Sequence, residues 1–378
     1  MKLLVNTTTL SGSGVTQVAV SFLRECIEFK DNEYHVLLGK AVESQIDKST
    51  FPDNFVFYPI SSHPLYGIQG FKVRNIVKNI ERLIQPDCVF SIFGPSWWTP
   101  KKPHLMGYAY PHYVYPDSPL FEKLNTAQRL KVSLMKMVHI FFLRTNGKYY
   151  VSETLDVTNR LKPLLGNDKN FFTVTNTYNT CFSNFFPSDE FILPSKEAGE
   201  FRFLSLCTFA IHKNLIILNQ VIPLLNSIIP NNKIKFVLTI DDVLFENNFN
   251  EESKASIINI GRIDVVKCPQ LYYECDALFL PTTLECFSAN YPEAMKMRRP
   301  IITSNLTFAT SVCEDAALYF NPFDQKEIVN VIVQLVSNKQ LANELVLHGE
   351  KRLNSFLTPK QRTMEYLKIC KSIIEDDK

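Results

Sequence analysis

Two carboxylates stand eight positions apart in "TTLECFSANYPEAMKMRRPIITSN", residues 282–305, where Glu285 follows an apolar run and Glu293 follows a proline. The run "DALFLPT" reads as a buried strand, so Glu285 falls in the loop at its carboxyl end. Pro292 is tolerated only in the first turn of the helix that follows, because further in it would remove a backbone bond and clash. Glu293 therefore sits in that first turn, and the unpaired N–H groups of Ser288 to Tyr291 point the same way. Two acceptors and several donors suit a polyhydroxylated ligand. The same spacing fits a solvated loop glutamate and a second one that complements the helix dipole, and spacing alone leaves both readings open.

Three further stretches carry candidate chemistry. In "FRFLSLCTFAIHKNLIILNQVIPLL" a strand ends near Cys207 and Lys213 opens a helix, a place that favours a diphosphate; the plain alternative is a surface lysine. In "TTTLSGSGVTQVAVSFL", Gly12, Ser13 and Gly14 lie between a strand and a helix, where backbone can approach phosphate. A dinucleotide fingerprint would need a third glycine, but Gln17 stands there, and "LLGK" at the end of the second strand lacks the acidic residue for a ribose. Hydride transfer is therefore disfavoured. In "MGYAYPHYVYPDS", His112 follows the fifth strand, and a lone histidine is often structural. Asn176 and Asn179 in "VTNTYN" are turn formers. No D-x-D triplet occurs, so no metal-bridged diphosphate is expected.

These residues need elements to hold them. Strands are predicted at Leu3–Asn6, Tyr34–Leu38, Phe55–Tyr58, Cys88–Phe93, His104–Tyr108, Tyr149–Val151 and Phe172–Val174. Helical patterns over Val15–Phe29, Phe71–Gln85, Phe121–Arg144 and Thr154–Leu164 lie between several of them. "FFPSDEFILPSKEAGE", 185–200, reads as a linker. Strands resume at Phe201–Leu206, Phe236–Ile240, Ile257–Ile260, Ala277–Leu280, Ile301–Thr303 and Leu318–Phe320, with helices at Asn214–Ser227, Pro269–Cys275, Pro292–Met297 and Lys326–Ser337. Alternating strands and helices imply two doubly wound α/β domains, whose ligands sit beyond the carboxyl ends of the strands. The boundaries expected are 1–185, a linker at 186–200, 201–358, and a C-terminal helix at 359–378 that packs back on the first domain.

Composition bounds the function. A formal net charge of +2 gives no general attraction to nucleic acid. Nine scattered cysteines without a C-x-x-C pair argue for a reducing compartment and against a disulfide or zinc scaffold. "MKLLVNTTTL" reads as a first strand rather than a signal peptide, and no apolar run is long enough to span a membrane. A cytoplasmic protein is expected. Region 121–148 is basic, with Lys123, Arg129, Lys131, Lys136, His139, Arg144 and Lys148 around Leu134, Met137, Val138, Phe141 and Phe142. It is either a solvated helix packed on the core or a cationic apolar face for anionic lipid on the inner side of the membrane.

"PTTLECFSANYPEAMKMRRPIITSNLTFATSVCEDAALYFNPFD" resembles the C-terminal domain of family 4 (group 1) retaining glycosyltransferases of the GT-B fold. Glu285, Glu293, Phe287, Ala294, Met295 and Pro300 stand in register with that family's pattern, and "EDAALYFNPFD" continues it. The resemblance extends weakly over the N-terminal half. It implies two Rossmann-like domains facing a cleft, with a nucleotide diphosphate sugar as donor, a glycan or lipid-linked saccharide as acceptor, and a role in cell-surface polysaccharide synthesis. It implies no cofactor and no metal. It assigns Glu293 to the ribose, Gly261 and Ile263 to the base, and Lys213 and Thr208 to the diphosphate. Glu285 and the N–H groups of Phe287, Ser288 and Ala289 would hold the sugar, with Gly12 to Gly14 closing over the phosphates and His112 facing the sugar. Thr208 replaces the family's arginine, and Cys286 and Ser288 replace two glycines. Two rivals share this layout: a nucleotide-sugar epimerase, and a non-catalytic protein that binds sugar nucleotides.

Overall fold

The structure is a computed structural model that describes residues 1–230 and 233–377. The chain begins with β1 (Lys2–Asn6), α1 (Ser13–Cys26), β2 (Glu33–Gly39), α2 (Lys40–Glu43), β3 (Phe55–Ile60), α3 (Gly67–Ile84) and β4 (Cys88–Ser91). It continues through β5 (His104–Gly107), α4 (Pro111–Val114), α5 (Leu120–Lys123), α6 (Thr126–Asn146), β6 (Tyr149–Ser152), α7 (Leu155–Leu165) and β7 (Asn170–Thr173). Next come β8 (Phe201–Ser205), α8 (Leu218–Ile228), β9 (Ile234–Leu238), α9 (Asp242–Asn248), α10 (Glu251–Lys254), β10 (Ile257–Asn259) and α11 (Cys268–Glu274). Last are β11 (Ala277–Leu280), α12 (Asn290–Lys296), β12 (Ile301–Ser304), α13 (Thr307–Cys313), β13 (Ala317–Phe320), α14 (Gln325–Ser337), α15 (Lys339–Leu353) and α16 (Pro359–Asp376). Two compact units result: Met1–Pro116 with Leu124–Asn176 and Leu357–Lys378, and Asp117–Lys123 with Thr177–Phe356.

The first unit holds a seven-stranded sheet in the order β3-β2-β1-β4-β5-β6-β7, every pair parallel. Strand residues alternate between its faces. Leu3 and Val5 join Phe22 of α1 and Tyr366 and Leu367 of α16 in one core. Leu4 and Val89 join Val73 and Val77 of α3 and Trp98 in another. Thr358 and Gln361 form a capping box at the start of α16. One turn in, the buried Arg362 guanidinium pairs with buried Glu25 of α1 at 3.3 Å, and Thr363 Oγ1 donates to the same carboxylate at 2.7 Å. Those bonds offset much of the cost of burying the charge pair, although Arg362 Nε has no hydrogen-bond partner among the described residues.

The second unit holds a six-stranded parallel sheet in the order β10-β9-β8-β11-β12-β13. Its core includes Phe203, Phe236 and Phe279 from three neighbouring strands, covered by Leu218, Val221 and Ile222 of α8. Strand order reverses between β8 and β11, and in the first unit between β1 and β4, where a crevice opens at the carboxyl ends of an α/β sheet.

Three sequence expectations change. The helix expected over Phe121–Arg144 is broken, because Asn125 caps a new one: its side chain accepts from the Gln128 N–H while Gln128 accepts from the Asn125 N–H, both at 2.9 Å. The helix expected from Asn214 starts later. Asn214 is left-handed (φ 53°), tied by Nδ2 to the Pro322 carbonyl at 2.7 Å, and α8 begins only at Leu218. Lys213 thus closes a 3-10 turn, Ile211–Lys213, rather than opening a helix. The stretch read as a linker is fastened to α11: the Ser188 N–H donates to Gln270 Oε1 at 3.0 Å and the Leu193 N–H to Glu274 Oε2 at 2.7 Å. Among the described residues, no helix is long and apolar enough to cross a membrane.

Candidate functional site

In the second unit the loops after β8 and β11 are laced together. The His212 carbonyl accepts from the Thr283 N–H at 2.7 Å and from Thr282 Oγ1 and Thr283 Oγ1, each at 3.0 Å. Ser118 Oγ in turn donates to the Thr283 carbonyl at 2.8 Å. Ser205, the last residue of β8, donates through Oγ to the Phe279 carbonyl of β11 at 2.7 Å. The turn that carries Lys213 is thereby fixed against the loop that carries Glu285.

Lys213 Nζ lies 2.7 Å from Glu285 Oε1, with side chains only 15% and 11% exposed. Burial opposes the ammonium charge, but the Glu285 carboxylate outweighs it and holds Lys213 above the usual lysine range. Burial likewise pushes the neighbouring Cys207 thiol up to about 11, with Lys213 pulling it down and Glu285 pushing it up. The pair is a half-buried dipole at the carboxyl ends of β8 and β11. A phosphate arriving here would compete with Glu285 for Lys213.

Glu293 belongs to a second network. It lies in the first turn of α12, buried, and its Oε2 accepts from Tyr272 Oη at 3.2 Å. Tyr272 Oη also lies 3.1 Å from Asn290 Oδ1, and Asn290 Nδ2 donates to the Leu206 carbonyl at 2.9 Å. Helices α11 and α12 and the end of β8 are joined through these three side chains. Desolvation raises Glu293 to about 7, only partly offset by the Tyr272 hydrogen bond. A carboxyl group poised there can give up its proton to become an acceptor for ligand hydroxyls.

The surrounding residues differ in exposure. Thr208 is exposed, Cys286 and Ser288 are buried, and Phe287 and Ala289 are half-buried. The Phe287 ring meets Phe356 edge-on with centroids 6.3 Å apart. One donor expected to be unpaired is occupied: the Tyr291 N–H donates to the Ser288 carbonyl at 3.2 Å. Gly261 follows β10 with φ 68°, a conformation that strains any other residue although a Cβ would meet nothing nearer than Asp242 Oδ1 at 4.0 Å. Ile263, two residues on, is half-buried.

The remaining candidates lie in the first unit. Gly12 precedes α1, where Ser13 is the first helical residue. A Cβ at Gly14 would meet nothing within 4 Å, and one at Gly12 only Val15 Cγ2 at 3.6 Å. Neither glycine is demanded by packing within the chain. Thr9 Oγ1 donates to the Phe93 carbonyl at 2.8 Å, joining the loops after β1 and β4. His112 is half-buried on α4, and burial lowers it below the usual histidine range. His139, counted above among the basic residues, is instead buried and lies 2.9 Å from Tyr113 Oη. Burial takes it down to about 4, so it adds no charge at neutral pH. Lys123 falls on α5, in the second unit.

The structure brings Lys213 to Glu285 and holds Glu293 with Tyr272 and Asn290. Sequence reading missed both orienting residues. Tyr272 stands in "LYYEC", where aromatic residues signal only a core helix, and Asn290 precedes Glu293 by three positions without any distinctive pattern. Among the described residues no group of three or more His, Cys, Asp or Glu side chains could hold a metal ion.

Residues 200–338 match the family model described as Glycosyl transferases group 1. No curated protein matches the chain. Solved structures resemble it over nearly its whole length. HepE of Anabaena, solved with UDP and glucose, is 12% identical with a TM-score of 0.71, covering 98% of this chain and 100% of that one. A glycosyltransferase from Rickettsia africae is 14% identical with a TM-score of 0.72, covering 99% and 98%. Sucrose-phosphate synthase from Thermosynechococcus elongatus is 14% identical with a TM-score of 0.70, covering 100% of each chain. With the two parallel sheets described above, this likeness identifies the fold as GT-B, built from two Rossmann-like domains.

Proposed function

We propose that this chain is a glycosyltransferase that moves a hexose-type sugar, with retention, from a nucleotide diphosphate donor to a hydroxyl of a glycan or lipid-linked saccharide. The observation that carries the reading is the pair of networks around Lys213–Glu285 and Glu293–Tyr272, set at the strand-order reversal of the second unit and inside the segment that matches group 1 glycosyl transferases. One network supplies a held cation and a carboxylate, the other a buried acceptor. A sugar nucleotide presents a diphosphate, a sugar and a ribose.

In this reading Glu293 accepts from the ribose hydroxyls, with Gly261 and Ile263 beside the base. Lys213 and Thr208 hold the diphosphate. Glu285 and the N–H groups of Phe287, Ser288 and Ala289 hold the sugar. The departing phosphate takes the acceptor proton on the face it leaves, so the protein contributes charge stabilisation and positioning rather than a dedicated base. HepE has also been solved in complex with UDP-glucose, which makes a uridine diphosphate sugar the first donor to try. The chain would act in the cytoplasm, peripheral to an anionic membrane, in cell-surface polysaccharide synthesis.

One observation favours a binding-only rival: Thr208, where the family places an arginine, is exposed and carries no charge. A thermal-shift screen of nucleotide sugars followed by a turnover assay separates the two. Donor at a hundred times its dissociation constant should stabilise the protein by about 2.7 kcal/mol. Stabilisation with sugar transfer supports the proposal. Stabilisation without even slow donor hydrolysis supports the rival, and no shift with any sugar nucleotide refutes both.

A further inference from the structure

The first unit carries a surface that the proposed sugar chemistry does not use. Helix α6 exposes Leu130, Leu134, Met137 and Phe141 by 60, 50, 61 and 60%. At 100° per residue these four fall within an arc of roughly 60°. Arg129 and Lys136 flank the stripe on one side and Lys131 on the other, and α6 contains no acidic residue. A solvated helix packed on a core would reverse this pattern, hiding the apolar stripe.

Helix α3 repeats it. Ile68, Phe71 and Leu83 are exposed by 77, 58 and 80%, interleaved with Lys72, Lys78 and Arg82. Its only acid, Glu81, is buried and turned inward, accepting from Trp98 Nε1 at 3.3 Å and from the Lys101 N–H at 2.6 Å. Neither helix shows a carboxylate to solvent.

The two helices cover one sheet face. Val73 and Val77 of α3 pack with Val89, and the Asn146 carbonyl of α6 bonds His104 Nδ1 at 2.9 Å, where Val89 and His104 are register partners in β4 and β5. The segment between these strands ties both helices: Trp98 is held by Glu81, while Thr99 Oγ1 accepts from Asn146 Nδ2 at 2.9 Å. The Trp97 ring lies 4.8 Å from Phe142 of α6 and 6.3 Å from His63, just before α3. The outer sides of α3 and α6 are therefore parts of one fixed surface.

We propose that this two-helix face docks on an anionic lipid bilayer, with its apolar side chains entering the interface and its lysines and arginines meeting the headgroups. Both halves of the surface are needed by that occupant. A soluble polyanion would engage the cations and leave the apolar stripe in water. A second copy of the face would set like charges against one another. The inference rests on the lipid-linked acceptor reading, and gives it the surface that brings the enzyme to its acceptor, but it is tested without donor or acceptor.

The test is sedimentation of the full chain with phosphatidylcholine vesicles, with and without phosphatidylglycerol, at low and high salt. The parent should partition onto the anionic vesicles only, and less so in high salt. Lys72→Glu/Lys78→Glu on α3 should weaken partitioning by at least roughly 25-fold, at about fivefold per cation lost before the repulsion of the added carboxylates. Leu134→Glu/Phe141→Glu on α6 should weaken it at least as much. All four positions except half-exposed Leu134 are well exposed, so folding is retained, and the melting temperature is measured for each variant. Equal binding to neutral vesicles, or loss with the α6 pair but not the α3 pair, overturns the two-helix face. So does a concentration-dependent dimer abolished by Leu134→Glu/Phe141→Glu in a parent that ignores vesicles. Vesicle binding by a chain that no sugar nucleotide stabilises would sink the transferase reading and leave the docking surface standing.

Discussion

Replacing Glu293 by glutamine should remove a pH-dependent cost from the folded protein. Glu293 is raised from 4.5 to about 7, by desolvation first and against the Tyr272 hydrogen bond. Between those values the folded state binds more protons than the unfolded state, so stability falls as pH rises. The cost begins near pH 4.5, grows through pH 7 and then levels off. Linkage with these values gives roughly 2.5 kcal/mol lost between pH 5 and pH 8. In a unit of this size that corresponds to roughly 5–10 °C of melting temperature. Glu293→Gln keeps the shape and an acceptor for Tyr272 Oη but does not titrate, so its stability should lack this decline. Tyr272→Phe removes the group that lowers the Glu293 pKa, and should extend the decline to higher pH with its onset unchanged. Denaturant unfolding of parent and variants at half-unit pH steps reads the effect. Parallel pH profiles for parent and Glu293→Gln would refute the reasoning, since a buried, weakly bonded carboxyl group must titrate differently on unfolding.

Three further outcomes are expected. Glu285→Gln leaves the mostly buried Lys213 ammonium without its counter-charge, which should cost up to about 3–5 kcal/mol; a nucleoside diphosphate should restore more melting temperature in this variant than in the parent, and an equal rise in both would place the diphosphate elsewhere. Turnover should persist in excess EDTA, because Lys213 is the proposed neutraliser and no D-x-D triplet is present; loss on chelation, restored by one divalent metal, would contradict this. Thr208→Arg should be tolerated or raise turnover, because Thr208 is exposed and an arginine offers the leaving diphosphate a charged fork; a stable variant with turnover lost would show that another cation fills the role.

Most of the fold was legible because parallel strands buried on both faces write themselves as short apolar runs, as in "DALFLPT". The place of Glu293 followed from Pro292, whose ring confines it to a first turn. What the sequence concealed was tertiary. Lys213 and Glu285 are 72 positions apart and meet only because β8 and β11 are neighbours in the sheet. Tyr272 looks like any core aromatic, and its role depends on a hydroxyl whose partner lies 21 positions on. The late start of α8 was missed because the apolar spacing runs on through Leu215, while Asn214 in the left-handed region breaks the backbone. The break at Asn125 was visible in "NTAQ", an asparagine three residues before a glutamine.

The most direct test of the account is calorimetric titration of parent and Glu293→Ala with uridine diphosphate and with its 2′,3′-dideoxy analogue. If Glu293 holds the ribose, removing the carboxylate costs about 1.5–3 kcal/mol of binding, or roughly ten- to a hundredfold in dissociation constant. Removing the hydroxyls from the ligand should cost the parent a similar amount and the variant almost nothing, because the two changes delete one interaction. Equal losses on the dideoxy ligand in parent and variant, or an unchanged dissociation constant in Glu293→Ala, would contradict the assignment of a nucleotide site to the second unit at this residue.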